Sequence, residues 1–167
     1  VLLAQTGRHQ EAVAQFDKVN AIRPDISNTH LNRGASLDEL GLHDEAISSY
    51  TKAADLNPEN SYALFNRART NYHLGNMEEA IADYSEVIRL TPGDAEAMNN
   101  RGLAFDALGE YSRALEDYTQ AMVLRPDFFE AWSNRGAALE ALDKLQEALG
   151  DYLAALAVAP KFAAAHY

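Results

Sequence analysis

The sequence predicts an all-α chain built as a row of antiparallel helix pairs, and three observations carry that prediction. The five prolines, Pro24, Pro58, Pro92, Pro126 and Pro160, stand 34 residues apart throughout. Small residues keep the same beat as Ala12, Ala46, Ala80, Ala114 and Ala148, and aromatic residues as Phe16, Tyr50, Tyr84, Tyr118 and Tyr152. Turn-type residues follow as Gly7, Gly41, Gly75, Gly109 and Asp143. A fixed period of this length marks a repeat array, in which each unit buries its apolar face against its neighbours rather than in one common centre.

Length therefore counts copies. Residues 27–60, 61–94, 95–128 and 129–162 are four full copies of one array; residues 1–26 are the later part of a preceding copy and 163–167 the start of another. A first residue other than Met, and ends that fall inside copies, lead us to expect a piece of a longer array.

Within the 95–128 copy, helical spacing predicts a first helix from about Glu96 to Leu108, with Met98, Arg101, Gly102 and Phe105 on one face. Gly109 ends it, because a tight turn between helices often needs positive φ. A second helix runs from about Ser112 to Leu124 with Ala114, Leu115, Tyr118, Ala121 and Met122 on its buried stripe. Pro126 stops that helix, since the residue before proline is pushed out of the α region. The small position lets the paired helices approach, and the aromatic fills the space beside it. The same landmarks place helix pairs in the other full copies and a lone second helix before Pro24.

Two further registers carry polar chemistry. Arg33, Arg67, Arg101 and Arg135 recur on the first helix, and Asp83, Asp117 and Asp151 on the second, with Ser49 as the first counterpart of those aspartates. Either each arginine lies along the surface with its head in water, or the registers pair; in the second case Arg33 is the odd one. Asn32, Asn66, Asn100 and Asn134 precede the four arginines.

These landmarks resemble the tetratricopeptide repeat family, and the resemblance covers essentially the whole chain. It implies an all-α, right-handed superhelical solenoid of antiparallel helix pairs in which first helices line a concave groove. On that reading the groove is faced by Asn28, Leu31, Asn32, Ala35, Asp38 and Glu39, then Tyr62, Phe65, Asn66, Arg69, Tyr72 and His73. The later copies contribute Glu96, Asn99, Asn100, Leu103 and Asp106, then Glu130, Ser133, Asn134, Ala137 and Glu140. Six carboxylates against one arginine favour a neutral or basic partner over an acidic one. The Lys/Arg clamp by which some co-chaperone members hold acidic C-termini is missing, and the asparagine register resembles instead the ladder in the superhelical region of O-GlcNAc transferase. An amide offers both donor and acceptor, so such a ladder reads a partner's backbone, unless the four Asn are only polar surface or helix caps. Tyr62, Phe65, Asn66, Arg69, Tyr72 and His73 fall on one side of one helix and form the expected anchor, because aromatic and arginine residues concentrate binding energy, unless the aromatics pack against the next copy instead.

No catalytic signature is present: no phosphate-cradling glycine loop, no H-E-x-x-H and no cysteine. The pairs Asp38–Glu39 and Glu78–Glu79 read as solvated helix surface rather than a general acid and base. His9, His30, His43, His73 and His166 lack ligand spacing, so neither a metal nor a cofactor is expected. The net charge of −11 argues against a nucleic-acid backbone. The longest apolar run, Leu153–Val158, is too short to span a bilayer, so the chain is expected to be non-inserting and, by default, cytoplasmic. The expected function is a non-catalytic scaffold binding an extended peptide or a partner helix. The rivals are the substrate-recognition arm of a larger enzyme, such as a glycosyltransferase, and a self-assembly module. Leu149, Leu153, Leu156 and Val158 on the last second helix predict end-to-end contact, with the short Ala163–Tyr167 tail taking part.

Overall fold

The computed structural model describes residues 7–163. Among them lie nine α-helices and no strand: α1 (His9–Ile22), α2 (Ser27–Asp38), α3 (His43–Leu56), α4 (Ser61–Leu74), α5 (Met77–Leu90), α6 (Ala95–Ala107), α7 (Tyr111–Leu124), α8 (Phe129–Ala141) and α9 (Leu145–Ala163). The chain forms two compact units, Val1–Leu90 with α1 to α5 and Thr91–Tyr167 with α6 to α9. In the first, α2 pairs with α3 and α4 with α5, while α1 packs on α2 and α3 on α4. In the second, α6 pairs with α7 and α8 with α9, and α7 packs on α8.

The turn inside each pair is closed by a bond that reaches back five residues. The N–H groups of Leu42, Asn76, Glu110 and Lys144 donate to the carbonyls of Leu37, Asn71, Phe105 and Leu139 at 2.9–3.0 Å. That geometry requires a left-handed residue, which Gly41, Gly75 and Gly109 supply at φ of 75–86° and Asp143 at 60°. Between pairs, α1, α3, α5 and α7 each stop two residues before their proline. The last helix does not: α9 continues through Pro160 to Ala163. Pro24, Pro58, Pro92 and Pro126 are followed by Asp, Glu-Asn, Gly-Asp and Asp, all turn formers, whereas Lys161-Phe162-Ala163 offers no residue that favours leaving the helix. The tail beyond Ala163, expected to take part in end contacts, lies outside the described residues.

The core is the pairing of the small and aromatic registers. Tyr50, Tyr84 and Tyr118 are at most 1% exposed and Ala46, Ala80 and Ala114 are fully buried. The Tyr50 and Tyr118 rings lie so close to the facing first helix that a Cβ added at Gly34 or Gly102 would sit 2.6 Å from a ring carbon. Tyr152, on the last helix, is only half-buried.

The arginine and aspartate registers pair. Arg67 donates from Nε and Nη2 to the two carboxylate oxygens of Asp83 at 2.8 and 2.7 Å. Arg101 makes the same fork to Asp117, both bonds 2.7 Å, and Arg135 to Asp151, both 2.7 Å. For Arg67 and Arg135 the remaining arm reaches the second helix of the preceding pair, where Arg67 Nη1 donates to Thr51 Oγ1 at 2.9 Å and Arg135 Nη1 to Thr119 Oγ1 at 3.1 Å. Arg33 is indeed the odd one. Ser49 accepts one bond from Nη1 at 2.7 Å, and the carboxylate is Asp17 on α1, which accepts from Nε at 2.6 Å. The anion has moved from the arginine's own pair to the preceding helix, and the guanidinium is charge-balanced either way. With the Asp83, Asp117 and Asp151 side chains 4–11% exposed, removing one partner would strand a nearly buried charge, at a cost of about 3–5 kcal/mol.

Candidate partner-binding site

The face of α4 turned away from α5 follows the three-and-four spacing of Tyr62, Asn66, Arg69 and His73. Tyr62 is 74% exposed, and Arg69 and His73 are exposed. Tyr72 is half-buried, its ring edge-on to His73 with centroids 5.7 Å apart. Phe65 is the most committed to packing: it is half-buried and meets the Tyr84 ring of α5 edge-on at 5.5 Å. Phe65 therefore braces its own pair, and Tyr62 is the aromatic most open to a partner.

Beside this face, Asp38 departs from the expectation of solvated surface. Its carboxylate accepts from Thr70 Oγ1 of α4 at 2.6 Å, from Tyr50 at 3.2 Å, and stands 2.9 Å from His43 Nδ1. The side chain is 13% exposed and ties α2 to α4. Burial pushes the Tyr50 hydroxyl far above its ordinary range, the charge of Asp38 and the bond to it add to the shift, and Arg69 opposes it. A carboxylate engaged in this way offers little repulsion to a partner, so Glu39 is left as the free anion of the pair. Asn32 and Asn66 are half-buried, and the Asn66 carbonyl lies 2.9 Å from Thr70 Oγ1, whose one proton is shared with the closer Asp38 carboxylate.

In the second unit the asparagines are engaged with one another. Asn134 Nδ2 donates to Asn99 Oδ1 at 3.0 Å, and Asn99 Nδ2 to Asn100 Oδ1 at 3.3 Å. Asn99 is 4% exposed, so it serves as an internal bridge from α6 to α8, while Asn100 and Asn134 are half-buried. Around them the first helices expose Glu96, Glu130 and Glu140. Glu140 accepts a bond from the Tyr152 hydroxyl at 2.9 Å, and burial raises the Asp106 carboxyl above its ordinary pKa. Arg69 is the only exposed lysine or arginine on α2, α4, α6 and α8.

The nine residues expected at the site thus fall into two settings: Asn32, Tyr62, Phe65, Asn66, Arg69, Tyr72 and His73 in the first unit, Asn100 and Asn134 in the second. Sequence reasoning missed the Asp38–Thr70 tie, which joins residues 32 apart and belongs to no repeated register. It also missed the third arm of the forks. The acceptors of those arms, Asp17, Thr51 and Thr119, fall in one 34-residue register, which is visible in the sequence. Among the described residues, no group of His, Cys, Asp or Glu is placed to hold a metal, and no helix is long and apolar enough to cross a membrane.

Models of the tetratricopeptide repeat match residues 31–95, 95–128 and 129–162. No curated protein sequence matches the chain. Among solved structures it is similar to MamA, at 27% identity over 96% of this chain and 94% of that one, with a TM-score of 0.92. It is similar in fold to YrrB, described as a TPR protein with an unusual peptide-binding site, at 19% identity over 95% and 82% of the two chains and a TM-score of 0.84. It is also similar to the first TPR of Spaghetti (RPAP3), solved bound to the HSP90 peptide SRMEEVD, at 30% identity over 70% of this chain and 93% of that one, with a TM-score of 0.68.

Proposed function

Because this chain belongs to the tetratricopeptide repeat family, we propose that it is a non-catalytic protein-interaction scaffold whose first-helix faces receive an extended peptide or a helix of a partner protein. One observation carries the reading: Tyr62 stands 74% exposed beside exposed Arg69 and His73 on α4, where a soluble protein gains nothing for its own stability from an open tyrosine. Support for a peptide ligand comes from Spaghetti (RPAP3), solved with the peptide SRMEEVD.

The charge of the partner differs from that of the peptide bound there. SRMEEVD is acidic, whereas here Arg69 is the one exposed lysine or arginine on the first helices and Glu96, Glu130 and Glu140 are exposed. The favoured partner is neutral or basic, with apolar or aromatic side chains that settle separately on Tyr62 and on Tyr72 and backbone groups that meet the amides of Asn32 and Asn66.

A panel of labelled peptides, one basic with a single aromatic residue, one neutral with the same aromatic and one the acidic SRMEEVD, tests this by fluorescence anisotropy. We expect the basic and neutral peptides to bind more tightly than the acidic one. A Tyr62→Ala, Tyr72→Ala variant, which spares Phe65 and its contact with Tyr84, should lose at least about 2 kcal/mol for them. Equal affinity across the panel, or a variant that binds as the parent does, would refute the reading.

A further inference from the structure

A cleft of about 350 Å³, lined in part by Arg33, opens where α1, α2 and α3 meet. Its wall is polar where the same registers elsewhere are apolar. Asn20 stands where the later copies have Ala54, Ile88 and Met122, and His30 where they have Leu64, Met98 and Trp132. His30 Nε2 donates to the Pro24 carbonyl at 3.0 Å, and its Nδ1 lies 3.4 Å from Asn20 Nδ2, so the two side chains brace each other in the wall.

The charges are redistributed as well. Arg67, Arg101 and Arg135 each hold a carboxylate of their own pair with Nε and Nη2. At Arg33 that carboxylate is replaced by Ser49, a smaller side chain that accepts from Nη1, while Asp17 accepts from Nε. Among the described residues nothing accepts from Arg33 Nη2. Asp17 balances the guanidinium, so the surplus cation is Lys52, exposed and without an ion pair among the described residues, at the position of Glu86, Gln120 and Ala154. One turn before it stands exposed Ser48, where the later copies have Ala82, Glu116 and Gly150. A cleft of the same volume beside Arg135 is lined by Lys144, Glu147 and Asp151 as well, and its charges balance. Two cations against one carboxylate leave the Arg33 cleft with one positive charge, in a chain whose net charge is −11.

We propose that this cleft takes one carboxylate from a partner protein, received by the free Nη2 arm of Arg33, the Lys52 ammonium and the Ser48 hydroxyl. The partner then supplies from outside the anion that Asp83, Asp117 and Asp151 supply from within. A monoanion matches the surplus, whereas a phosphate dianion would leave negative charge behind in an already acidic chain. Stacked helix pairs do not fill the space. No residue of α6 lines the Arg135 cleft, although α6 pairs with α7 directly before it, and no residue of α4 or α5 lines the Arg33 cleft. A first helix paired with α1 would likewise leave the cleft open. Its lining residues are also separate from Tyr62, Arg69 and His73, so the site stands independently of the α4 face.

The test uses the whole chain and short Gly/Ser peptides without aromatic residues, which leave the α4 face unengaged. One carries a central Glu, one Gln in its place, one phosphoserine, and a fourth only a free C-terminal carboxylate; the first three have blocked ends. In titrations followed by NMR, the Glu peptide should bind at least about tenfold more tightly than the Gln peptide, with the largest shifts at Ser48, Lys52 and the Arg33 Nε–H. The tighter of the Glu and free-carboxylate peptides identifies the source of the group, and binding by either supports the site. Ser49→Asp, which supplies the carboxylate from within as the later copies do, should weaken both at least about tenfold. Lys52→Gln, a change at an exposed position that copies Gln120, should weaken them at least about threefold. Equal affinity for the Glu and Gln peptides, no binding by either carboxylate peptide, shifts centred elsewhere, or variants that bind as the parent does would each overturn the proposal. So would a phosphoserine peptide that binds tightest, since the cleft would then suit a dianion. A dimer that Lys52→Gln dissolves, seen by sedimentation, would overturn it too, because the carboxylate would come from a second copy.

Discussion

Asp38 and Asp106 occupy the same place in their copies, yet their surroundings treat the charge differently. Asp38 accepts from Thr70 and Tyr50 and faces His43, while the residue equivalent to Thr70 after Asp106 is Ala138, which has nothing to donate. Burial accordingly raises the Asp106 pKa above its ordinary value. A carboxyl raised in the folded state contributes its stability below the unfolded pKa, about 3.9, and loses it as pH climbs through the folded value. At neutral pH the charge is therefore a burden. We expect Asp106→Asn to raise the melting temperature at pH 7, by less than about 4 °C because the site is partly solvated, with the gain shrinking as pH falls through the carboxylate range. Thermal melts of both proteins at pH 3 to 7 check this, and a variant less stable at pH 7 would contradict it.

The fork arginines show what could be read in advance from single residues. Asp83, Asp117 and Asp151 were legible as partners because one residue type repeats with the arginines' own period. The role of Asp17 was hidden because its register changes type, from Asp to Thr, Ser and Thr, while keeping only the oxygen. Periodicity of a chemical function is weaker to the eye than periodicity of a letter. Asn99 was hidden for a different reason: its register holds Leu31, Phe65 and Ser133, so helical spacing alone placed it on the open face, whereas contact with Asn134 of the next first helix buries it. Such contacts depend on how neighbouring pairs stack, which no single helix encodes.

Helix pairing in this chain sets two local preferences against each other at the glycines of the first helices. Alanine stabilises a helix interior over glycine by about 1 kcal/mol, so propensity alone recommends Gly102→Ala. The ring of Tyr118 decides the other way, because the new Cβ would lie 2.6 Å from Cε1 and 2.9 Å from Cδ1 of a residue that is fully buried. Overpacking typically costs 1–3 kcal/mol. We expect Gly102→Ala to be net destabilising by about 1 kcal/mol or more, measured by urea unfolding, and a stabilised variant would show that the ring moves aside freely. The 61–94 copy carries alanine naturally at this position, Ala68, and there Tyr84 is held edge-on by Phe65. The extent of whole elements was read less well where one signal stood for two. Proline alone does not stop a helix here: at four places it acts with Asp, Asn or Gly beside it, and at Pro160, without them, the helix goes on.

For the chain as a whole, the net charge of −11 is carried by groups that a partner meets, because the buried pairs remove cations and anions in equal number. Arg67, Arg101 and Arg135 are spent on Asp83, Asp117 and Asp151, pairs that cancel internally and project little field. The excess negative charge therefore sits on groups open to solvent, among them Glu39, Glu96 and Glu130. A basic partner should be drawn in over distances of order the Debye length, about 10 Å at 0.1 M salt, while the tyrosines act only on contact. The two contributions separate on a salt titration. For a basic peptide with one aromatic residue, raising salt from about 0.05 to 0.5 M should lower affinity, mainly through a slower association rate. Glu96→Gln with Glu130→Gln should flatten that dependence. Tyr62→Ala should leave the slope unchanged and instead speed dissociation at every salt concentration, because the lost contact forms only in the docked complex. Stopped-flow association and dissociation rates measure both effects. If Tyr62→Ala changed the salt slope, or the glutamine variants did not, attraction and anchoring would not be divided between these residues as the exposed charges and the open tyrosine require.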